Sequence, residues 1–505
     1  MDPFPDNTAA YARLRAIAEG AAPRARHSCK VGLIVPPSGF VVPNGWEFVH
    51  TAPFEGPSVI AAVWKGLGLG VEIVDCREAP DPERLAGGRL KGFDWIAVAT
   101  YEDGFPFIQR AVAIAKAEAA ERPVILGGPL VTSVPKLIME NTRADYAVLG
   151  EGELTVIELT DLLLRAPDAL PAGDIRGLAW RDAAGADAPR SCAASGKASG
   201  AWAAGALRVN PRRPQMHDLD AVPLQDFSAW PAIGESGQVP EIYMTSSRGC
   251  SGSCSFCYRA MPALRHKSPA RVRRELLALK KHGYRYAWWS DLTFVDDKAR
   301  VQRLLDEAFA GIDFRWSCFT RADGVDLPIL EKMRDRGCDI VMYGFESLTE
   351  EILENFRKRV TRGLIIEAIA LTRKAGLKIG GLFIVGGPGE SEASLRRTID
   401  FCREFKEVTR VKYMSAIPGT PLYHDALKSG LIKDELAHLR FLARERSVED
   451  DEILNFTGLP EAALRRAYRE INHQIEVRPY EYWNPANRYT EQGKKFQARP
   501  RMETP

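Results

Sequence analysis

Short apolar runs recur along the chain, each stopped by glycine, proline or polar residues and followed by a stretch with helical spacing. Lys30-Val31-Gly32-Leu33-Ile34-Val35 ends at Pro36-Pro37-Ser38-Gly39, the pattern of a buried strand running into a loop. Helical spacing over 59–67 separates it from a second strand at 71–75. A third strand at 95–100 leads to a helix over 108–120. A fourth at 124–126 runs into Gly127-Gly128-Pro129, and a fifth at 146–149 ends at Gly150-Glu151-Gly152-Glu153. Strands alternating with helices in this way predict a doubly wound, Rossmann-like parallel sheet. Its ligands belong at the carboxyl ends of the strands, where the loops 36–39, 100–104, 127–129 and 150–153 would gather.

The pattern decays over 167–239. Residues 183–206 are dominated by Ala, Gly and Ser, a composition that buries little and reads as a flexible insertion. An ordered strap is expected at 216–223. A second alternating series then begins, with strands at 242–246, 286–290, 314–319, 340–345, 379–385 and 411–415. Helices are expected between them at 271–281, 298–310, 327–336 and 363–375. Six βα units in succession predict a (β/α)6 partial barrel, or a full one, with its site at the strand C-termini. A helix over 461–475 marks a small C-terminal helical appendage. The α/β chain therefore divides into an extension (1–29), a doubly wound domain (30–166), a linker (167–239), a barrel (240–433) and a C-terminal region (434–505).

Charge narrows the partners. Lys and Arg number 68 against 66 Asp and Glu, so the net charge is +2 and no strongly basic field exists for nucleic acid or an anionic membrane. No apolar run reaches the ~18–20 residues of a membrane span, and the N-terminus has no signal-peptide core. Nine unevenly spaced cysteines fit a reducing compartment better than a disulfide scaffold. The expected location is cytoplasmic.

Three of those cysteines carry the chemistry. Arg248-Gly249-Cys250-Ser251-Gly252-Ser253-Cys254-Ser255-Phe256-Cys257-Tyr258 places Cys250, Cys254 and Cys257 in a C-x3-C-x2-C spacing just after the first barrel strand. Thiolates suit soft metals and iron–sulfur clusters. Three ligands on one loop hold three irons of a cubane and leave the fourth open for chemistry. A structural zinc site would need a fourth Cys or His nearby, and His266 and Cys318 stand at no familiar spacing.

With Phe256 before its last cysteine, this segment resembles the signature of the radical S-adenosylmethionine (SAM) superfamily. Gly344-Phe345-Glu346-Ser347 resembles that family's fourth-strand segment. Phe383-Ile384-Val385-Gly386-Gly387-Pro388-Gly389-Glu390 resembles its fifth-strand glycine motif, and Ile417-Pro418-Gly419-Thr420-Pro421-Leu422-Tyr423 its sixth-strand exit. Together with Gly127-Gly128-Pro129 and Gly150-Glu151-Gly152-Glu153, the chain is similar to the cobalamin (B12)-binding subclass from about Lys30 to Ile432. The resemblance implies a cobalamin-binding N-terminal domain, a radical SAM barrel and three cofactors: a [4Fe-4S] cluster, SAM and cobalamin. Cys250, Cys254 and Cys257 would hold the cluster. Glu346 and Ser347 would face the methionine or ribose of SAM, Arg321 its carboxylate, and Ser290 and Asp291 its amino group. Gly387 and Gly389 would let the backbone approach the adenine, and Gly127 and Gly128 the corrinoid or its nucleotide tail, with Glu151 in the neighbouring loop. An Asp-x-His-x-x-Gly motif is missing, and only His27 and His50 occur in the N-terminal region. Cobalamin is therefore expected without a histidine ligand, its lower face covered by a loop such as Thr100-Tyr101-Glu102-Asp103.

The leading expectation is a methyltransferase that moves a methyl group from SAM, via methylcobalamin, to an unactivated carbon after hydrogen abstraction by a 5′-deoxyadenosyl radical. A phosphorus acceptor, or cyclisation and rearrangement without methyl transfer, are the alternatives. A methylthiotransferase would need three N-terminal cysteines where only Cys29 and Cys76 lie in the sheet. A non-catalytic metal-binding scaffold is the remaining class. The expected partners are a small-molecule or peptide substrate and an electron donor such as flavodoxin or ferredoxin, with oligomeric state open. The segments expected to shape the substrate are 38–57, with Phe40, Trp46, Phe48 and Phe54, and the tail bearing Tyr480, Tyr482 and Trp483.

Overall fold

The computed structural model describes residues 8–20, 27–37, 53–77, 89–182, 205–230, 241–258, 263–444 and 453–476. Most of the 38–57 loop, residues 183–204 of the Ala/Gly/Ser stretch, Cys192, and Tyr480, Tyr482 and Trp483 lie outside them.

The first sheet has seven strands: β1 (Lys30–Val35), β2 (Gly70–Asp75), β3 (Trp95–Ala99), β4 (Val124–Gly127), β5 (Tyr146–Val148), β6 (Leu178–Asp182) and β7 (Ala206–Val209), in the order β2-β1-β3-β4-β5-β6-β7. β1 to β5 pair in parallel. β1, β3, β4 and β5 are covered on both faces, so their sequences are almost continuously apolar rather than alternating, whereas β2, at the edge, exposes Glu72. Val31 and Leu33 pack with the helices Thr8–Ala18, Glu55–Gly66 and Glu153–Leu164. Ile34, the residue after Leu33, packs on the opposite side with Phe105–Glu118 and the short helices Pro129–Ser133 and Pro135–Glu140. β6 and β7 extend the sheet antiparallel, from the region where the apolar pattern fades. β7 is mostly solvent-exposed, so no hydrophobic run announces it.

The second sheet is all parallel and nearly sequential. β8 (Glu241–Met244), β11 (Tyr286–Trp289), β12 (Arg315–Thr320), β13 (Cys338–Glu346), β14 (Lys378–Val385) and β15 (Val408–Tyr413) run in the order β15-β14-β13-β12-β11-β8. β8 and β15 are its two edges, which makes it a partial barrel. Between β8 and β11, β9 (Ser247–Arg248) pairs antiparallel with β10 (Arg265–His266), and this two-rung clasp brackets the cysteine loop. Helices on the outer face start where a short polar side chain accepts a backbone N–H of the first turn: Ser268 from Arg271, Asp297 from Arg300, Asp326 from Ile329, and Ser391 from Ser394. The inner face carries Tyr286, Trp288, Ile340 and Met342, with Tyr243, Phe319 and Leu382 against them.

The C-terminal helices pack into both units. In Glu461–Glu476, Leu464, Ala467 and Ile471 enter the barrel's main core, and Tyr468 stacks on Tyr413 with centroids 4.1 Å apart. Leu439, from Glu435–Arg444, is instead buried in the core beneath Phe105–Glu118. Among the described residues, no helix is long and apolar enough to cross a membrane.

Candidate functional site

The loop from Cys250 to Cys257 is held from outside itself. Ser255 donates its N–H to the Phe356 carbonyl (2.9 Å) and its hydroxyl to the Asn355 carbonyl (3.1 Å). Its own carbonyl accepts the N–H of Leu422 (2.9 Å). Phe256 meets Phe356 edge-on at 5.2 Å. The three thiols form no disulfide, and Cys250 and Cys254 both lie near enough to act on the Cys257 thiol. Gly252 N–H donates to Cys250 Sγ at 3.2 Å, the hydrogen bond that a thiolate accepts well. Burial, then the proximity of Cys254 and Cys250, pushes the Cys257 thiol up to about 11. Among the described residues, no three His, Cys, Asp or Glu side chains gather tightly enough for a single metal ion. A cubane spreads its thiolates over separate irons and so suits a looser triad.

Two cations face the loop. Arg321 donates to Asp323 in a fork (2.9 and 2.7 Å) and to the Lys358 carbonyl (2.6 Å). Its Nη1 would lie 3.7 Å from a Cβ placed on Gly252. Lys358 is buried, with its ammonium 3.0 Å from Glu346 Oε1. Burial alone would lower its pKa, but Glu346 and Cys254 more than offset this and raise it. Glu346 has φ 65° and follows an irregularity in the β13–β14 register. That places its carboxylate over Gly344, where a Cβ would come within 2.4 Å of Oε1.

The other residues expected to meet SAM are engaged as follows. Asp291 is fully buried and accepts from Ser246 N (3.0 Å), Ser246 Oγ (2.9 Å) and Ser247 Oγ, which fixes the strand entering the cysteine loop. Burial raises its pKa despite these donors. Ser290 N–H donates to the Met244 carbonyl at 2.9 Å, and Ser347 Oγ accepts from Thr349 N–H at 3.1 Å. A Cβ on Gly387 would strike the Phe356 ring at 2.5 Å. Gly389 has φ 87° and lies against Asn355. Both glycines therefore let the β14 loop close on the short helix that clamps the cysteines.

At the end of the first sheet, Gly128 has φ 117°, and a Cβ there would meet the Thr100 carbonyl at 2.8 Å. Thr100 Oγ1 donates to the Gly127 carbonyl (3.0 Å) and accepts Val131 N–H (3.2 Å), locking the two loops together. A Cβ on Gly127, by contrast, meets nothing within 4 Å. Tyr101 packs edge-on against Phe54 at 5.7 Å, and Phe54 lies 6.0 Å from Tyr243 of the barrel. Burial, with Asp103 adding to it, raises the pKa of Glu102. Glu151 turns toward the barrel and accepts from Arg265 (2.8 and 2.9 Å), Arg248 (3.1 Å) and Met216 N–H (2.8 Å). Glu153 takes the other nitrogen of Arg248 at 2.7 Å. The β5 loop thus grips both strands that bracket the cysteines. Tyr258, next to Cys257, donates to the carbonyl of Pro129, next to Gly128, at 2.7 Å.

Residues 244–402 match the radical SAM superfamily, and residues 53–160 match the B12 binding domain. The chain joins a B12-binding domain to a radical SAM domain. This radical SAM protein is 29% identical to an uncharacterized methyltransferase of Pyrococcus horikoshii over 61% of its own chain and 64% of the relative. It is 27% identical to an uncharacterized methyltransferase of Synechocystis over 64% of its chain and 54% of that relative. It thus spans under two thirds of these relatives' length. Its fold is shared with TsrM from Kitasatospora setae, a radical SAM methyltransferase whose structure holds cobalamin and a [4Fe-4S] cluster. The TM-score is 0.63 at 15% identity, covering 90% of this chain and 92% of that one.

The residues present fit the cofactors of this radical SAM family, a [4Fe-4S] cluster, SAM and cobalamin. A soft thiolate triad faces the buried Lys358 and the partly buried Arg321, and a Cβ on Gly127, at the carboxyl end of β4, would enter open space. Cys250, Cys254, Cys257, Phe256, Arg321 and Glu346 come together at the barrel mouth. Thr100, Tyr101, Gly127 and Gly128 lie at the carboxyl end of the other sheet. Lys358, Asn355, Phe356, Arg248 and Arg265 were not legible as site residues. Lys358 sits in the run Arg357-Lys358-Arg359, which reads as a solvated charge patch.

Proposed function

We propose that this protein is a methyltransferase that uses SAM and cobalamin to methylate an unactivated carbon of a small molecule or peptide. The observation that carries the reading is the hydrogen bond from Tyr258 to Pro129, which sets the cysteine loop directly against the glycine turn of the corrinoid sheet. Radical generation and methyl donation need two cofactors within reach of one substrate, and proximity of this kind contributes much of the rate. When bound, the cofactors supply reductive cleavage of SAM and carriage of a methyl group.

The chain's own residues hold and enclose. Cys250, Cys254 and Cys257 ligate the cluster, and Arg321, held by Asp323 and the Lys358 carbonyl, braces the loop that carries them. Glu346 and Ser347 line the approach of SAM from β13. Gly127 leaves the corrinoid room, with the Thr100–Tyr101 loop beneath it. Tyr243, Trp288, Phe319 and Leu382 give the barrel an apolar inner wall that keeps water from a reactive radical. An electron donor of the flavodoxin or ferredoxin kind supplies the reducing equivalent, and the near-neutral chain points to a substrate other than nucleic acid.

The test is anaerobic turnover with trideuteromethyl-SAM and a reductant. Methyl transfer yields S-adenosylhomocysteine together with 5′-deoxyadenosine and a product three mass units heavier than the unlabelled one. Formation of 5′-deoxyadenosine with no S-adenosylhomocysteine across candidate substrates would favour cyclisation or rearrangement instead.

A further inference from the structure

Among the described residues, four non-glycine residues have positive φ, and three of them surround one ammonium group. Arg357 (φ 53°) and Arg359 (φ 56°) flank Lys358, and Glu346 (φ 65°) is its partner. A left-handed backbone at a residue with a side chain costs of order 1–3 kcal/mol, so the surrounding packing enforces this geometry. Lys358 is 6% exposed and Glu346 8%. A buried ion pair contributes little to stability beyond what an apolar pair would. Strain at three backbone positions to bury such a pair therefore calls for another use of the charge.

The pair's position supplies that use. Gly344 has no side chain, and a Cβ there would sit 3.0 Å from the Lys358 ammonium and 2.4 Å from Glu346 Oε1. The residues just before Lys358, Asn355 and Phe356, bind Ser255 between the second and third cysteines, and the Lys358 carbonyl binds Arg321. Lys358 is thereby fixed to the back of the cysteine loop, and Cys254 is among the groups that act on its charge. Arg321 is neutralised by the fork to Asp323 on the side open to solvent, whereas the Lys358–Glu346 pair lies inside.

We infer that Lys358 and Glu346 form a buried, oriented charge pair that sets the reduction potential of the cluster held by Cys250, Cys254 and Cys257. Lys358 is a positioning residue acting on the cluster through space, and the inference rests on the cluster assignment proposed above. Net charge around an iron–sulfur cluster is one of the determinants of its potential. A fixed cation stabilises the reduced, more negative state, and a fixed anion opposes it. The pair has been placed where the cation's effect and the anion's can be removed separately.

The experiment is a potentiometric EPR titration of the anaerobically reconstituted full chain without SAM, in wild type, Lys358→Met, Lys358→Arg and Glu346→Gln. Lys358→Met is expected to move the midpoint to a more negative potential and Glu346→Gln to a more positive one, with Lys358→Arg close to wild type. Unchanged midpoints in both neutralising variants, or shifts of the same sign in both, would overturn the inference, because loss of a merely structural clamp has no reason to give opposite signs. If Lys358→Met takes up no iron, Glu346→Gln decides: a positive shift supports the charge pair and an unmoved midpoint contradicts it. Failure of the wild type itself to load a cluster defeats the cluster assignment instead, so the two failures are told apart.

Discussion

Glu151 and Arg265 lie 114 positions apart in the chain, yet Arg265 Nη1 donates to both carboxylate oxygens of Glu151, at 2.9 and 2.8 Å. One end of the corrinoid sheet is thereby fastened to the strand that closes the cysteine loop. Both side chains are almost completely buried. Glu151→Ala leaves Arg265 and Arg248 short of a partner and is expected to cost about 3 kcal/mol of stability, the range for breaking a buried pair from one side. Chemical denaturation checks it, and a loss below about 0.5 kcal/mol, the range of a neutral surface change, would mean the contact is dispensable.

The same carboxylate gives a pH dependence. Burial raises the pKa of Glu151, but Arg248 and Arg265 outweigh it and hold the group below the ordinary glutamate value. A carboxylate depressed in the folded state contributes stability above its unfolded pKa of about 4.3 and loses it as pH falls through the folded value. The stability gap between wild type and Glu151→Gln should stay constant from about pH 7 to 5.5 and narrow below about pH 4.3. A gap that widens on acidification contradicts the sign.

Gly127 and Gly128 separate a ligand requirement from a folding requirement. Gly128→Ala meets both a positive φ and the Thr100 carbonyl, so a loss of at least about 1–3 kcal/mol is expected. A Cβ at Gly127 enters open space, and Gly127→Leu should leave stability within about 0.5 kcal/mol. Cobalamin retained through anaerobic gel filtration should nevertheless fall, by about tenfold in affinity for each 1.4 kcal/mol of lost contact. Full retention in Gly127→Leu would remove Gly127 from the corrinoid site.

Tyr258→Phe deletes the bond between the two cofactor loops at a stability cost of about 1 kcal/mol. Its larger effect is expected on coupling, as more 5′-deoxyadenosine released per methylated product. An unchanged ratio would show that the loops keep their spacing without it.

Local signals were legible in the sequence, and distant ones were not. The three cysteines share one loop, so the sequence alone shows them together and proposes a cluster for them. Inner strands such as β1, β3 and β13 are buried on two faces and stand out as apolar runs. β6 buries only Leu178 and Ala179 and β7 is mostly exposed, so neither rises above the linker around it. Site residues identified by their position after a strand, such as Asp291 and Glu151, have partners 45 and 97 positions away in Ser246 and Arg248, pairings that no periodicity encodes. Lys358 was hidden for a related reason: what distinguishes it from its arginine neighbours is burial, which is a property of the fold.

The central claim is that Cys250, Cys254 and Cys257 hold a cluster that engages SAM. Anaerobic reconstitution of the full chain, followed by metal analysis and EPR of the dithionite-reduced protein, measures it directly. The account predicts about four irons per chain and an EPR signal that changes when SAM is added, both lost in Cys254→Ala. Stoichiometric zinc with no iron, or a cluster signal indifferent to SAM, would contradict it.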